Sequence, residues 1–294
     1  MSLLAVPFLK WAGGKAKLAA AIDGYLPRKF DTYYEPFLGG GAVFWHLAFN
    51  HRFKHAVLND ANKELMDCYR VIRDFPDDII TALQNVEAQY NLAPKPTFEQ
   101  WKALDPAKLD PVGRTVRTIL LNKTGFNGLY RINQSGIFNV PWGKREKIRL
   151  MTHGEEGVRS CSETLNKHVS LLSTDFDAAC SWAAGENDVV YLDPPYVPVS
   201  KTANFTSYTD GKFSTADQHR VVVLFEGLVA RGVKVIASNA DLPQVREMYK
   251  GFEMHEVRVA RAINCAGNKR GKVGELIIIG RRAGKPIWAT EALP

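Results

Sequence analysis

Residues 188–196 read Asp188-Val189-Val190-Tyr191-Leu192-Asp193-Pro194-Pro195-Tyr196. The first five, apolar and β-branched or aromatic after Asp188, predict a sheet strand. The strand stops at Asp193, where two consecutive prolines fix the backbone and remove two N–H donors. The carboxyl end of a strand is where open α/β sheets bind their ligands. What stands there is a rigid cup made of the Asp193 carboxylate, the bare carbonyls of Pro194 and Pro195 and the aromatic face of Tyr196. Rich in acceptors, it suits a planar amino group with two N–H bonds to share. A plain Pro-Pro turn with a helix-capping aspartate remains the alternative on these four residues alone.

Outward from this strand, similar short runs predict strands at Thr32–Glu35, Ala56–Leu58, Lys234–Ser238, Glu256–Ala260 and Leu276–Ile279. Helical stretches alternate with them, one running to about Phe49 and one over Ala61–Arg73. A third is signed by a capping box at Ser214 and Asp217 and by Gly232 as its C-terminal cap. The alternation predicts an α/β layered sheet. It breaks between Pro76 and Ser170, across a helical Asp77–Tyr90, a Pro-rich Pro94–Pro111 and a basic segment of Gly-rich hairpin character. Residues 76–170 are therefore expected to be an inserted domain, and 1–75 with 171–294 a discontinuous sheet domain.

Composition narrows the classes. The 294 residues are 46% hydrophobic and 23% charged, which is ordinary for a globular protein. The longest apolar runs, such as Val221–Phe225, are too short to span a bilayer. No apolar stretch near the N-terminus ends in a small-residue cleavage site, so a cytoplasmic chain is expected, with no membrane partner. The four cysteines form no C-x-x-C pair and the seven histidines no H-E-x-x-H motif, so no metal is expected. Between Val112 and Arg149 stand eight Lys and Arg against Glu146 alone, a surplus equal to the whole chain's +7. Phe126, Tyr130, Phe138 and Trp142 lie among them. Cations for phosphates with rings for bases make nucleic acid the leading partner, against the commoner solvated surface.

A second motif is Glu35-Pro36-Phe37-Leu38-Gly39-Gly40-Gly41-Ala42-Val43-Phe44. A glycine turn between the first strand and its helix lets a ligand approach the backbone. Asp60 ends the next strand, the usual place for a carboxylate that binds ribose hydroxyls. With no G-x-x-x-x-G-K-[ST] present, an adenosine-bearing ligand fits better than a phosphate string. A third, Phe8-Leu9-Lys10-Trp11-Ala12-Gly13-Gly14-Lys15, is by itself no more than a surface turn.

In this order, K-W-A-G-G-K, E-P-F-x-G-G-G-x-x-F and D-P-P-Y resemble the Dam-type DNA adenine N6-methyltransferases of the D12 class, alpha group. The resemblance runs from Phe8 to about Ile279 and takes in Asn127-Gly128-Leu129-Tyr130-Arg131-Ile132-Asn133, Phe138-Asn139-Val140-Pro141 and Thr202-Ala203-Asn204-Phe205-Thr206. It implies a Rossmann-like S-adenosylmethionine-dependent sheet with an inserted, mostly helical DNA-recognition domain carrying a β-hairpin. It further implies methylation of adenine N6 in duplex DNA, with S-adenosyl-L-methionine as cofactor and S-adenosyl-L-homocysteine as product.

The roles carried over are these. Trp11, Lys15, Glu35, Phe37, Gly39 and Gly41 belong to the cofactor site, Asp60 to its ribose, and Asp175 and Phe176 to its adenine. The target base is flipped out of the helix. Asp193 and Pro194 then accept the two N6–H bonds, beside Pro195, while Tyr196 stacks on the base. GATC is the implied target. Lys10 and Arg131 fall on guanine edges, Leu129 and Pro141 on apolar contacts, and Phe126, with Asn127 beside it, on the gap left by the base. Phe126 stands where the family often has tyrosine, Tyr130 where it often has a small residue, and Asn133-Gln134-Ser135-Gly136 replaces a more basic turn. Val197–Phe213 is expected to cover the flipped base, and Arg261, Lys269, Arg270 and Lys272 to meet phosphates. A monomer is expected, whether it stands alone, belongs to a restriction–modification system or is carried by a virus. The rival readings are amino methylation of cytosine N4, RNA adenine or protein glutamine, and a silent DNA-binding protein.

Overall fold

Strand β4, Asp188–Leu192, lies at the centre of a sheet of seven described strands. The computed structural model describes residues 6–11, 15, 16, 18–133, 137–196, 213–257 and 274–282. The other strands are β1 (Phe30–Glu35), β2 (Phe53–Asn59), β3 (Val169–Leu172), β5 (Lys234–Ala240), β6 (Phe252–Val257) and β7 (Glu275–Arg282). Their spatial order is β3-β2-β1-β4-β5-β7-β6. The first five run parallel, with Tyr34 opposite Val190 and Leu192 opposite Ala237. Strand β7 returns antiparallel between β5 and β6, with Ala240 opposite Glu275. This is a Rossmann-like α/β sheet, and its chain order reverses direction between β1 and β4. The ends of β1 and β4 therefore flank a topological switch point, the crevice where such sheets bind ligands.

Alternation along the strands builds two cores. Tyr33, Val189, Tyr191, Ile236 and Ile277 face one side, and Tyr34, Val190, Leu192, Val235 and Ile278 the other. The first side is covered by α1 (Ala19–Gly24), α2 (Ala42–Phe49) and α3 (Lys63–Asp74). The same apolar cluster continues without a break into α4 (Pro76–Leu92), α5 (Pro94–Ala103), α6 (Pro111–Thr124) and α7 (Gly154–Asn166). The second side is covered by α8 (Phe176–Ala179), α9 (Thr215–Ala230) and α10 (Pro243–Met248). Asn62 caps α3 by accepting from the Leu65 N–H, and the Ser214–Asp217 box caps α9, as its sequence predicts. Gly232, at φ +81°, follows the end of α9.

Two edge strands differ from the sequence expectation. Strand β3 was not foreseen: its four residues, Val-Ser-Leu-Leu, sit half-exposed at a sheet edge and carry too little apolar signal. Strand β6 begins at Phe252, four residues before the expected Glu256, because an edge strand keeps the polar pattern of Phe-Glu-Met-His-Glu-Val. Residues 258–260 of that expectation lie outside the described residues, as do 12–14, 134–136, 197–212 and the basic group at 261–272. No described helix is long and apolar enough to cross a membrane.

Candidate active site

Asp193 leaves the end of β4 with both carboxylate oxygens engaged. Oδ1 accepts from the Ser238 hydroxyl at 2.7 Å, and Oδ2 lies 2.9 Å from Lys15 Nζ. Ser238, on β5, also shares a 2.8 Å hydrogen bond with the Tyr191 hydroxyl, so a Tyr191–Ser238–Asp193–Lys15 chain crosses the strand ends. The Lys15 side chain is 6% exposed and that of Asp193 17%. Burial alone lowers the affinity of the Lys15 amine for its proton. The charge of Asp193, with the Tyr196 oxygen and the charge of Glu275, outweighs it and holds the ammonium form well above the usual lysine range. The same ammonium lies 4.6 Å from the Tyr196 ring centroid. Burial, with Asp193 adding to it, pushes the Tyr196 phenol up against the opposing pull of Lys15, so the ring stays neutral. The Pro195 carbonyl accepts from Gln218 Nε2 at 2.5 Å, and among the described residues no donor reaches that of Pro194.

Across the switch point, Gly39 and Gly41 adopt left-handed φ of +51° and +65°. A Cβ on Gly41 would lie 2.9 Å from the Tyr69 hydroxyl, and one on Gly39 3.0 Å from Trp11 Cδ1, so a side chain at either position is both strained and crowded. Asp60 braces it: Oδ2 accepts the Gly39 N–H and Oδ1 that of Asn62, each at 2.9 Å. Burial raises the Asp60 carboxyl in spite of these two bonds. Glu35 accepts from the Tyr33 hydroxyl at 2.9 Å and the Phe44 N–H at 3.1 Å, and burial pushes its carboxyl up to about 8. Phe37 packs on Phe176 with centroids 5.1 Å apart, and Phe213 closes on both. Arg220 lies over Phe176 and donates to Asp175 and Asp177, fixing that short helix. Trp11, Lys15, Glu35, Phe37, Gly39, Gly41 and Asp60 thus gather around the ends of β1 and β4, with Asp175 and Phe176 packed beside Phe37. Among the described residues no group of three His, Cys, Asp or Glu could hold a metal ion.

The basic segment forms a hairpin above this crevice. Phe126 N–H donates to Pro141 O, Asn139 N–H to Arg131 O and Asn133 N–H to Ile137 O, at 2.9, 3.0 and 2.8 Å. One face is exposed and carries Phe126, Asn127, Arg131, Asn139 and Pro141, with Leu129 half-buried. Arg131 Nε donates to Asn139 Oδ1 at 2.8 Å, which steadies the guanidinium outward. Lys10 joins this face from 112 positions away: its N–H donates to Asn122 Oδ1, and Asn122 Nδ2 donates to the carbonyls of Lys10 and Gly128.

The aromatic reading of this segment needs correction. Of its four rings only Phe126, 48% exposed, faces solvent; Tyr130 and Phe138 are buried and Trp142 donates to Tyr90. Its cations divide as well. Arg117 is buried against the carbonyls of Trp101 and Lys102, Arg114 donates to Leu109 and Lys123 to Leu150. Part of the charge surplus therefore closes helix ends, and Arg131, Lys144, Arg145, Lys147 and Arg149 are the exposed cations. Ser238, Gln218 and Asn122 escaped the sequence reading. Only Ser238, a polar residue ending a predicted strand, carried a local signal.

A family model described as D12 class N6 adenine-specific DNA methyltransferase matches residues 11–263. The type II methyltransferase M1.LlaDCHI of Lactococcus lactis subsp. cremoris is 38% identical over 277 residues, which cover 92% of this chain and 94% of that protein. Type II methyltransferase M.MjaIII of Methanocaldococcus jannaschii is 36% identical, with 93% and 98% covered. DNA adenine methylase of Escherichia coli K12 is 34% identical, with 92% and 94% covered.

Proposed function

The chain belongs to the D12 class of N6 adenine-specific DNA methyltransferases, and on that footing we propose that it uses S-adenosyl-L-methionine to methylate a flipped adenine within GATC. The observation that carries the reading is Asp193: it ends β4 beside the glycine turn of β1, with its carboxylate held by Ser238 and Lys15. Gly39 and Gly41 keep the turn free of side chains, and Phe37, Phe176 and Phe213 supply an apolar cluster of rings next to it. This set fits an adenosine with a short polar tail. When bound, the cofactor supplies an electrophilic methyl group on sulfonium sulfur.

The chain's own residues do the rest. The Asp193 carboxylate and the Pro194 carbonyl accept the two N6–H bonds of the base, and Tyr196 stacks on its face. Lys15 withdraws from that face as the base enters. Loading both N–H bonds onto oxygen draws the nitrogen lone pair out of the ring, and Asp193 or solvent then takes the proton. Gln218 holds the Pro195 carbonyl, which keeps the cup rigid. On the DNA side, Lys10 and Arg131 donate to guanine O6 and N7, Leu129 and Pro141 meet a thymine methyl, and Phe126 with Asn127 fills the gap. The enzyme works as a monomer in the cytoplasm, with 76–170 as its recognition unit.

The test is label transfer from S-adenosylmethionine to two duplexes that differ only in a scrambled GATC. Label on the GATC duplex alone, lost with Asp193→Ala, is expected. Equal label on both removes GATC and keeps the methyltransferase.

A further inference from the structure

Tyr130 belongs to the DNA-reading hairpin, yet it points away from the hairpin's exposed face. Its ring is buried and stacks on Trp11, with centroids 5.8 Å apart and planes 24° apart. Its hydroxyl donates to Glu64 Oε1 at 2.6 Å, an oxygen that also accepts from the Thr118 hydroxyl at 2.8 Å. Glu64 stands in the first turn of α3. The residues leading into that helix include Asp60, which holds the Gly39 N–H. Gly39 in turn lies against Trp11, so closely that a Cβ there would come within 3.0 Å of the indole. The contacts close a ring: Tyr130, Trp11, Gly39, Asp60 and, through α3, Glu64 back to Tyr130.

We propose that Tyr130 is a positioning residue for cofactor binding, clamping Trp11 onto the glycine turn and so linking the hairpin's seat on DNA to the cofactor's seat in its cradle. The inference rests on the cofactor reading above. Tyr130 touches neither ligand. It acts by fixing the indole that borders Gly39 and Gly40, and through the hydroxyl it ties that indole to the helix whose entry braces the same turn. If one element fixes both sites, binding at each changes affinity at the other by the same factor.

The experiment is calorimetric titration of the full chain with S-adenosylhomocysteine, alone and on a GATC duplex, at a temperature where circular dichroism shows every variant folded. Tyr130→Leu removes the stacked face and the hydroxyl, and is expected to weaken S-adenosylhomocysteine about tenfold, the scale of one lost aromatic pair. Tyr130→Phe keeps the stack and loses only the tie to Glu64, for a loss of about threefold. In the wild type the duplex is expected to tighten S-adenosylhomocysteine severalfold, and in Tyr130→Leu this factor is expected to fall towards one. A residue that merely stabilised the fold would change the melting temperature and neither affinity. Wild-type affinity and an unchanged duplex effect, in whichever of the two variants folds, overturn the proposal. A wild-type chain that binds no S-adenosylhomocysteine overturns the cofactor reading and this inference with it.

Discussion

Lys15 Nζ lies 2.9 Å from Asp193 Oδ2, and the same ammonium covers the ring of Tyr196 at 4.6 Å. The cup proposed to receive an adenine thus already holds a cation against its carboxylate and its aromatic face. Removing one partner of a buried pair strands the other. Lys15→Met is expected to cost about 3 kcal/mol in unfolding free energy by denaturant titration. Asp193→Asn keeps the shape but weakens the acceptor. It is expected to lower methyl transfer roughly a hundredfold or more while S-adenosylhomocysteine still binds.

Glu35 makes stability depend on pH. Its carboxyl is raised from 4.5 to about 8, chiefly by burial, so the folded chain keeps a proton that the unfolded chain releases. That contribution is fully present below pH 4.5 and is lost as pH rises through 8. Glu35→Gln keeps acceptor capacity for Tyr33 and Phe44 and is expected to flatten the decline in urea midpoint across this window. An unchanged slope would show that Glu35 ionises normally.

Gly41→Ala tests the turn. The residue needs φ of +65°, and the added Cβ would meet the Tyr69 hydroxyl at 2.9 Å. A left-handed alanine costs about 1–2 kcal/mol before any clash. The expected outcome is a tenfold or greater loss of S-adenosylhomocysteine affinity by about the same strain energy, measured by calorimetry on folded protein.

Asn122 is buried and joins Lys10 to Gly128 through three hydrogen bonds. Asn122→Ala orphans a backbone N–H and two carbonyls, at about 1–3 kcal/mol for a group left unsatisfied. If Lys10 reads a guanine edge, the same variant loses discrimination between GATC and a guanine-substituted site by about tenfold, measured by fluorescence anisotropy.

Much of the architecture was legible from local pattern. The strand through Leu192, the turn at Gly39–Gly41 and the capped helix at Ser214 are each specified within a dozen residues. Strand β3 was not, because an edge strand of four residues buries little and so carries little pattern. Nor was the fate of the basic segment's rings. Tyr130 and Phe138 look like a stacking surface in order of sequence, whereas period-two alternation on the hairpin turns them inward and Arg131 and Asn139 outward.

By itself the sequence determined the α/β sheet, the cup at Asp193 and the glycine turn, because strand, turn and cap are contacts between near neighbours and backbone geometry dictates them. Which side chain meets which across the chain is set by long-range packing. It put Lys15 on Asp193, Ser238 on the other oxygen of that carboxylate, Asn122 under Lys10, and Tyr130 on Trp11. Those pairings depend on sheet order and on how α3 and α6 pack, which distant residues settle together as the two cores fill.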